Sequence, residues 1–348
     1  MSAATESDTN AGARTDSNPP VGIVGPGRMG VGIATAILLA QKGHNIRLLD
    51  LKKRSKEEEY SALVRAKDEI GANLDLLRDL GLVGAEPASL LDNVSLHREP
   101  ECLQDTHLVF EALPETVDAK RPFFGLADEY LPADGIIASA TSSFDLGLFR
   151  ELSSRPERVV TAHWLNPAFL IPLVEVAKAE WTDTAAVDYV VEFLRSIGKT
   201  ALAIKDSPGF IVPRIQTAAM NEAVRIFEDG VASPADIDTA IKAGYGFRLG
   251  VFGIIEFIDL GGVDILAHAG AFLHERLGGA QYDPPQSVKD KMAAGEVGPR
   301  SGRGYYDFAG VDTAALFRDR YQAFVELLRL YGESSHLSFL GGIGTPDK

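Results

Sequence analysis

The fold is decided by VGIVGPGRMGVGIATAILLAQKGHNIRLLD, residues 21–50 of the chain. The stretch opens with a short apolar run ending in glycine, which is typical of a strand buried on both faces of a parallel sheet. Residues 28–43 then place apolar side chains at helical spacing and close on Gly43, and NIRLLD, residues 45–50, is predicted to be a second strand. A strand, a helix and a strand within about thirty residues have the length of a βαβ unit, so we predict an α/β fold with a mostly parallel sheet.

Three glycines mark the turn between the first strand and the helix. GPGRMG places Gly25, Gly27 and Gly30 in GxGxxG order. In a dinucleotide-binding turn the first glycine permits the bend, the second admits a pyrophosphate to the helix N-terminus, and the third lets the helix pack on the strand. The alternative is a glycine-rich turn of some other α/β protein. We predict a dinucleotide-binding loop that includes Arg28 and Met29.

Asp50 ends the second strand and indicates which dinucleotide is bound. A carboxylate at this position accepts hydrogen bonds from the adenosine ribose diol and repels a 2′-phosphate, so we predict NAD as the cofactor. Lys52, Lys53 and Arg54 follow directly. Basic side chains there favour a 2′-phosphate, which leaves NADP as the alternative.

The strand-like runs stop near residue 206. Up to that point they alternate with helical patterns, which indicates helices on both faces of the sheet. The remaining strand-like runs are residues 107–113, 135–140, 159–164, 173–178 and 200–205. The patterns after them are helical, including a helix with Ser233 as N-cap and Pro234 at its first position.

This organisation predicts two domains and two tails. A Rossmann-type dinucleotide-binding domain is predicted over residues 20–205, followed by an all-α C-terminal domain over residues 206–330. The polar N-terminal stretch, residues 1–19, is predicted to be a disordered tail, and residues 331–348 are predicted to be a loose C-terminal tail.

Composition limits the partners of the protein. The 348 residues carry a formal net charge of −15, which opposes binding to nucleic acid and to anionic membranes. No run approaches the roughly 18 apolar residues of a membrane span, and the N-terminus lacks the apolar core of a secretory signal. The single cysteine, Cys102, fits a reducing compartment. We predict a soluble cytoplasmic protein with a small-molecule substrate and no metal site.

The stretch HWLNPAFLIPLVEV places His163 at the end of one strand-like run and Glu175 in the next. A lone histidine is often a hydrogen-bonded core residue. Oxidation of a secondary alcohol, however, requires removal of the hydroxyl proton, and an imidazole oriented by a carboxylate suits this task at neutral pH. Neighbouring strand ends can bring the two side chains together.

Six stretches, in chain order, carry a family resemblance: GPGRMGVGIA, FEALPETVDAK, SATSSF, HWLNPAFLIPLVEV, DSPGFIVPRIQTAAMNEA and GPRSGRGYYDF. Over roughly residues 20–310 the chain resembles the two-domain 3-hydroxyacyl-CoA dehydrogenases, including the bacterial 3-hydroxybutyryl-CoA dehydrogenases. The resemblance implies reversible, NAD-dependent oxidation of the secondary alcohol of a 3-hydroxyacyl-CoA to the 3-keto compound. It also implies a homodimer formed through the helical domain.

The resemblance assigns roles to four residues of the catalytic site. It implies that His163 is the general base and that Glu175 orients it. Ser142 is expected to hydrogen-bond the substrate hydroxyl oxygen, and Asn166 to hold the nicotinamide end of the cofactor. The alternative for Ser142 is a hydroxyl that caps a strand end or a helix.

Four further residues are expected beside the cofactor. Glu115 and Lys120 match a family pair, and Ala112 and Leu113 are expected to offer backbone groups. As residues five apart, Glu115 and Lys120 are equally consistent with a solvated pair on a helix face.

Two departures from the family pattern concern the substrate. Pro213 stands where the family has an asparagine near the substrate carbonyl, and a proline in the first turn of a helix is tolerated. Residues 55–80 are acidic where family lysines meet CoA phosphates, and they leave Arg65, Lys67 and Arg78 as candidates. The alternatives are therefore a dehydrogenase of a non-CoA hydroxy acid or other secondary alcohol, and a non-catalytic NAD-binding protein.

The dimer surface is expected in the helical domain. The apolar run IIEFIDLGGVDIL, residues 254–266, is the candidate. The same run is equally consistent with the core of the domain itself.

Overall fold

The computed structural model describes residues 19–53, 55, 58 and 60–333. The chain divides into two compact units between Ala218 and Ala219. Arg54 and most residues of the two predicted tails lie outside the described part of the chain.

Within the described residues, the first unit contains one eight-stranded sheet. The strands are β1 (Val21–Val24), β2 (Ile46–Leu49), β3 (Val94–His97), β4 (Leu108–Glu111), β5 (Ile136–Ser139), β6 (Val159–Trp164), β7 (Leu173–Lys178) and β8 (Thr200–Lys205). Their order in the sheet is β3-β2-β1-β4-β5-β6-β7-β8, and every neighbouring pair is parallel except β6 with β7. The predicted α/β fold of Rossmann type is therefore confirmed.

Strand β3 is the strand that the sequence pattern did not predict. It forms an edge of the sheet, and only its first residue, Val94, is buried. A half-exposed edge strand needs no continuous apolar run, and the apolar–polar alternation of VSLH spans only four residues, which is too short to stand out.

Helices cover the sheet in the first unit. They are α1 (Arg28–Leu39), α2 (Ser61–Asp79), α3 (Pro87–Leu91), α4 (Val117–Tyr130), α5 (Leu146–Leu152) and α6 (Thr184–Ser196). Buried apolar side chains form two clusters, one containing Ile23 and Phe110 and the other Val24 and Val109. Because successive strand residues point to opposite faces, the sheet lies between the two clusters.

The second unit is helical. After α7 (Val212–Glu228), which runs through the division between the units, the helices are α8 (Pro234–Ala240), a π-helical turn (Ile241–Gly246), α9 (Phe247–Leu249), α10 (Ile254–Gly261), α11 (Val263–Leu277), α12 (Gln286–Ala294) and α13 (Thr313–Glu333). Helix α8 begins as predicted, since the Ser233 hydroxyl accepts a hydrogen bond from the Asp236 amide and Pro234 follows it.

Three details differ from the sequence-based predictions. Helix α1 ends at Leu39 rather than near Gly43, because Gln41 already has a positive φ of 53°. Residues 331–333 belong to α13 and not to a tail. The run 254–266 matches neither expectation alone, since Ile255 and Ile265 are 43% and 59% exposed whereas Val263 is 0% exposed.

In the part of the chain that the structure describes, no helix is both long enough and apolar enough to cross a bilayer.

Candidate active site

The predicted site residues follow the carboxyl ends of the parallel strands. One register row runs across the sheet, in which Leu49 pairs with Val24, Val24 with Glu111, and Glu111 with Ser139. From β1 the chain adds β2 and β3 on one side of β1, and it then returns to add β4 on the other side. Such a reversal of strand order creates a crevice at the carboxyl ends, where sheets of this type bind ligands.

A cavity of about 360 Å³ lies at this crevice. It is lined by Gly25, Pro26, Gly27, Arg28, Met29, Asp50, Lys52, Ala112, Leu113 and Pro114. The predicted cofactor residues thus line one cavity, except for Gly30, Glu115 and Lys120. Gly25 has a φ of +104°, and a Cβ at this position would lie 2.5 Å from the Ala112 carbonyl oxygen, so the two loops approach this closely only because residue 25 is glycine.

The glycine turn fits a dinucleotide pyrophosphate. A Cβ added to Gly27 would meet no atom within 4 Å, whereas a Cβ on Gly30 would lie 2.0 Å from the Gly25 carbonyl oxygen. Gly27 therefore faces open space at the N-terminus of α1, and Gly30 packs the helix against the turn. The first helical turn contains no acidic side chain, so its N–H groups and dipole remain available to an anion.

Asp50 is buried at the end of β2. Its carboxylate accepts a hydrogen bond from the Lys52 amide at 3.0 Å and lies 3.8 Å from the Arg98 guanidinium. The pairing of Leu49 with His97 brings Arg98 alongside Asp50. The Arg98 guanidinium therefore partly compensates the negative charge of Asp50 beside the expected ribose position. Arg98 was not predicted as a site residue because it follows β3, the strand that the sequence pattern missed.

Glu111 forms the centre of a buried ion-pair network that the sequence analysis missed. Glu111 and Lys120 are 0% and 1% exposed, and the Lys120 ammonium lies 2.8 and 2.9 Å from the two carboxylate oxygens of Glu111. Glu111 also accepts hydrogen bonds from the Leu113 amide and the Ser139 hydroxyl. The signal was available in the sequence, since Glu111 is the single charge in an apolar strand, and a buried charge requires partners.

Glu115 joins this network to the loop that carries Ser142. Its carboxylate lies 3.2 Å from Lys120 Nζ and accepts hydrogen bonds from the Ser142 and Ser143 amides at 2.9 and 3.1 Å, and from the Thr141 hydroxyl. Burial alone would raise the pKa of Glu115, but the Thr141 hydroxyl and the Lys120 charge outweigh it and lower the pKa. The solvated helix-face alternative was wrong, because Lys120 is buried and Glu115 precedes α4.

His163 and Glu175 meet across the antiparallel pair β6 and β7. Their Cα atoms are register partners, and His163 Nδ1 lies 2.9 Å from Glu175 Oε2. The two residues are 3% and 0% exposed. With the carboxylate on Nδ1, the imidazole donates its Nδ1 proton to Glu175 and leaves Nε2 as a proton acceptor.

The PGF turn holds Glu175 and packs on His163. The second carboxylate oxygen of Glu175 accepts hydrogen bonds from the Ile211 and Val212 amides at 2.9 and 3.0 Å. Burial would raise the pKa of Glu175, but the hydrogen bonds from His163 and from these two amides together lower it. Phe210, with a positive φ of 45°, lies with its ring centroid 5.3 Å from that of His163.

Ser142 and Asn166 are exposed at the carboxyl edge of the sheet. Ser142 follows β5 and Asn166 follows β6, and these strands are parallel neighbours with Ser139 paired to Thr161. The two residues therefore project from the strand edge that carries His163. Pro213 is in the first turn of α7, as predicted.

Two family models match almost the entire described chain. The NAD binding domain of 3-hydroxyacyl-CoA dehydrogenase matches residues 20–207, and the C-terminal domain of 3-hydroxyacyl-CoA dehydrogenase matches residues 209–308. The NAD prediction from Asp50 agrees with this assignment.

Individual relatives cover most of the chain. A probable 3-hydroxybutyryl-CoA dehydrogenase of Deinococcus radiodurans is 32% identical over 82% of this chain and 99% of its own. The 5-formyl-3-hydroxy-2-methylpyridine 4-carboxylate 5-dehydrogenase of Mesorhizobium japonicum is 30% identical over 89% of this chain and 97% of its own. The crystal structure of a 3-hydroxyacyl-CoA dehydrogenase from Archaeoglobus fulgidus superposes with a TM-score of 0.74 at 28% identity, covering 91% of this chain and all of that one. The chain therefore belongs to the 3-hydroxyacyl-CoA dehydrogenase family of NAD-dependent oxidoreductases.

Proposed function

We propose that the protein oxidises the secondary alcohol of a 3-hydroxyacyl-CoA to the 3-ketoacyl-CoA, and catalyses the reverse reaction, with His163 as general base. The observation that carries this proposal is the buried His163–Glu175 pair, whose Nδ1 to Oε2 distance is 2.9 Å. The relatives named 3-hydroxybutyryl-CoA dehydrogenase support the substrate class.

Oxidation removes two hydrogens from the alcohol: a hydride from the carbinol carbon and a proton from the hydroxyl group. Held by the glycine turn and Asp50, NAD would supply the acceptor for the hydride of the carbinol carbon. His163 Nε2 accepts the hydroxyl proton as the carbonyl bond forms, and the ionised Glu175 stabilises the resulting imidazolium. Ser142 donates a hydrogen bond to the reacting oxygen, and Asn166 holds the nicotinamide end. In the reverse direction His163 returns the proton.

A non-CoA hydroxy acid is the second candidate substrate. The Lys67 ammonium on α2 donates to the Val94 carbonyl oxygen at 2.8 Å, and Arg78 pairs with Glu86 at 2.9 Å. These two cations are thus already engaged and offer less to CoA phosphates. Pro213 also supplies no side-chain donor. The pyridine carboxylate relative supports this candidate, because its name specifies a substrate without CoA.

A substrate panel tests both candidates. NADH formation is measured with 3-hydroxybutyryl-CoA, free 3-hydroxybutyrate and a series of other secondary hydroxy acids. Turnover of the thioester is expected, and His163→Ala should lower it by about 10²–10⁴-fold with NADH binding retained. His268→Ala, an exposed histidine of α11, is the control and should behave as native.

Each outcome of the panel is informative. Turnover of a free hydroxy acid without the thioester would overturn the CoA proposal, and a gain of thioester activity in Pro213→Asn would then identify Pro213 as the cause. Near-native turnover in His163→Ala would remove His163 from the mechanism.

We also propose a cytoplasmic homodimer. The single cysteine supports the compartment. The dimer is supported by α7, which has no buried residue among its 17 and carries an exposed apolar stripe at Met220, Val224 and Phe227.

A further inference from the structure

Lys199 is a buried lysine that the proposed mechanism does not use. It directly precedes β8 and is 8% exposed. Its ammonium donates to the Ala168 carbonyl oxygen at 2.7 Å and to the Ile171 carbonyl oxygen at 2.9 Å, and it lies 5.7 Å from the ring centroid of Trp164. All three partners belong to β6 or to the loop that follows it.

That loop, residues 165–172, is central to the candidate active site. It joins the strand of His163 to the strand of Glu175, and it carries Asn166. Its other side is close to α1, because a Cβ on Gly32 would lie 3.1 Å from the Ala168 Cβ. The N-terminus of α1 opens the dinucleotide cavity, so the loop is held between the cofactor helix and the Lys199 ammonium.

Stability alone does not account for a lysine in this position. Burial lowers the pKa of Lys199 to about 8, which means that the charged form is penalised in the folded protein. Among the described residues, no carboxylate forms an ion pair with Lys199 to offset the penalty. An apolar side chain at this position would remove that penalty but would leave the Ala168 and Ile171 carbonyl oxygens without their donor, so the two effects on stability oppose each other.

We propose that Lys199 is a positioning residue for hydride transfer, which holds the Asn166 loop against α1 through the Ala168 and Ile171 carbonyl groups. The charge-assisted hydrogen bonds fix the loop backbone, and the loop sets where Asn166 and the end of the His163 strand stand relative to the cofactor helix. The inference rests on the proposed function.

Lys199→Met tests the proposal, with Lys205→Met as the matched control. Lys205 lies in β8 and its side chain is 83% exposed. In Lys199→Met we expect kcat to fall by about 10- to 100-fold, since small misplacements of reacting groups cost this much. The KM for NAD should stay close to native, the melting temperature should change by no more than a few degrees, and Lys205→Met should match native throughout.

Two further variants separate positioning from a structural role. Lys199→Gln keeps N–H donors in a shorter, neutral side chain and should recover part of the lost turnover. The double variant Lys199→Met with Asn166→Ala should lose no more of kcat than the more impaired of the two single variants, because both changes act through one loop. Additive losses, or turnover that falls only in step with the melting temperature in both Lys199 variants, would overturn the proposal.

A binding readout distinguishes this proposal from the proposed function. The emission of bound NADH reports the surroundings of the nicotinamide ring and needs no substrate. We expect Lys199→Met to change this emission and Lys205→Met to leave it unchanged. If the native protein turns over no substrate of the panel, the proposed function fails, whereas an unchanged emission in Lys199→Met would refute the role of Lys199.

Discussion

At the scale of single residues, the partners of a buried carboxylate decide what it can do. Glu111 and Glu175 are both 0% exposed. Glu111 is paired with the Lys120 ammonium and ties the loop after β4 to the end of β5. Glu175 faces two backbone amides and an imidazole. Only the second arrangement leaves a titratable partner that can exchange a proton with a substrate.

Glu175→Gln is expected to reduce turnover by about 10²–10⁴-fold. A glutamine amide can donate to Nδ1, which would place the imidazole proton on Nε2 and remove the base. The measurement is kcat at neutral pH, with Glu175→Asp as a control that keeps the charge. Equal activity in the glutamine variant and the native protein would contradict the orienting role.

The lowered pKa of Glu175 also predicts a contribution to acid unfolding. Its ordinary value is 4.5, and the folded value is lower, so the unfolded chain binds more protons between the two. The stabilisation is fully present above pH 4.5 and is lost as the pH falls through the folded value. Urea midpoints measured across this range should fall less steeply in Glu175→Gln than in the native protein.

Asp50 and Arg98 together predict the cofactor preference. In Asp50→Asn the repulsion of a 2′-phosphate is removed while the Arg98 charge remains, so the preference for NADH over NADPH should narrow by about tenfold or more. Arg98→Met should widen it, because the Asp50 charge is then less compensated. Fluorescence titrations with both cofactors measure the ratio. A native protein that prefers NADPH would contradict the interpretation of Asp50.

At the scale of secondary structure elements, the site depends on two tight connections. The glycine turn between β1 and α1 gives the N-terminus of the helix to the cofactor cavity. The antiparallel pairing of β6 with β7 places His163 opposite Glu175, whereas parallel strands in the same positions would need a long crossover between them. The loop between β6 and β7 can therefore be short and can carry Asn166.

Gly27→Ala and Gly30→Ala form a matched pair that separates binding from folding. Gly27 has an ordinary φ of −89° and open space around its Cβ position, so its alanine variant should keep native stability while NADH affinity falls by about tenfold or more. The Cβ of Gly30→Ala would lie 2.0 Å from the Gly25 carbonyl oxygen, which should cost about 1–3 kcal/mol of stability. Urea unfolding and NADH titration measure the two effects, and the opposite assignment would contradict the binding turn.

At the scale of the whole molecule, large apolar side chains are exposed along two helices of the C-terminal half. Met220, Val224 and Phe227 are 56%, 54% and 52% exposed, and their spacing places them on one face of α7. A second exposed stripe follows α13 at Tyr321, Val325 and Leu328. Contiguous apolar surface of this kind is typical of an association interface.

The dimer proposal predicts a solution mass of twice the monomer, measured by size-exclusion chromatography with light scattering. Val224→Lys should shift the protein towards the monomer, because it would bury an unpaired charge in the interface. Ala218→Lys adds the same charge to α7 on the side opposite the stripe and should remain dimeric. A monomeric native protein, or a Val224→Lys variant as dimeric as the control, would exclude this stripe as the interface.

The sequence by itself determined the features that depend on spacing along the chain. The βαβ unit, the order of glycines and the ends of β6, β7 and β8 were predictable, because short-range periodicity and backbone requirements are local. The family resemblance predicted that His163 and Glu175 belong to the same catalytic site. Edge strand β3 was missed because it has no continuous apolar run. The end of α1 was misplaced because the glycine stop at Gly43 suggested a longer helix, whereas Gln41 already takes a positive φ.

Only the tertiary structure decided which distant groups meet. Glu175 accepts hydrogen bonds from amides 36 and 37 residues away, and Lys199 reaches carbonyl groups 31 and 28 residues away. Arg98 meets Asp50 because β3 pairs with β2. Such contacts depend on strand register and on the direction of buried side chains. The residue types alone do not indicate which of these groups will meet. The sequence therefore specified the fold and the residues available for chemistry, while packing of the strands and loops selected the partners that set their charge and orientation.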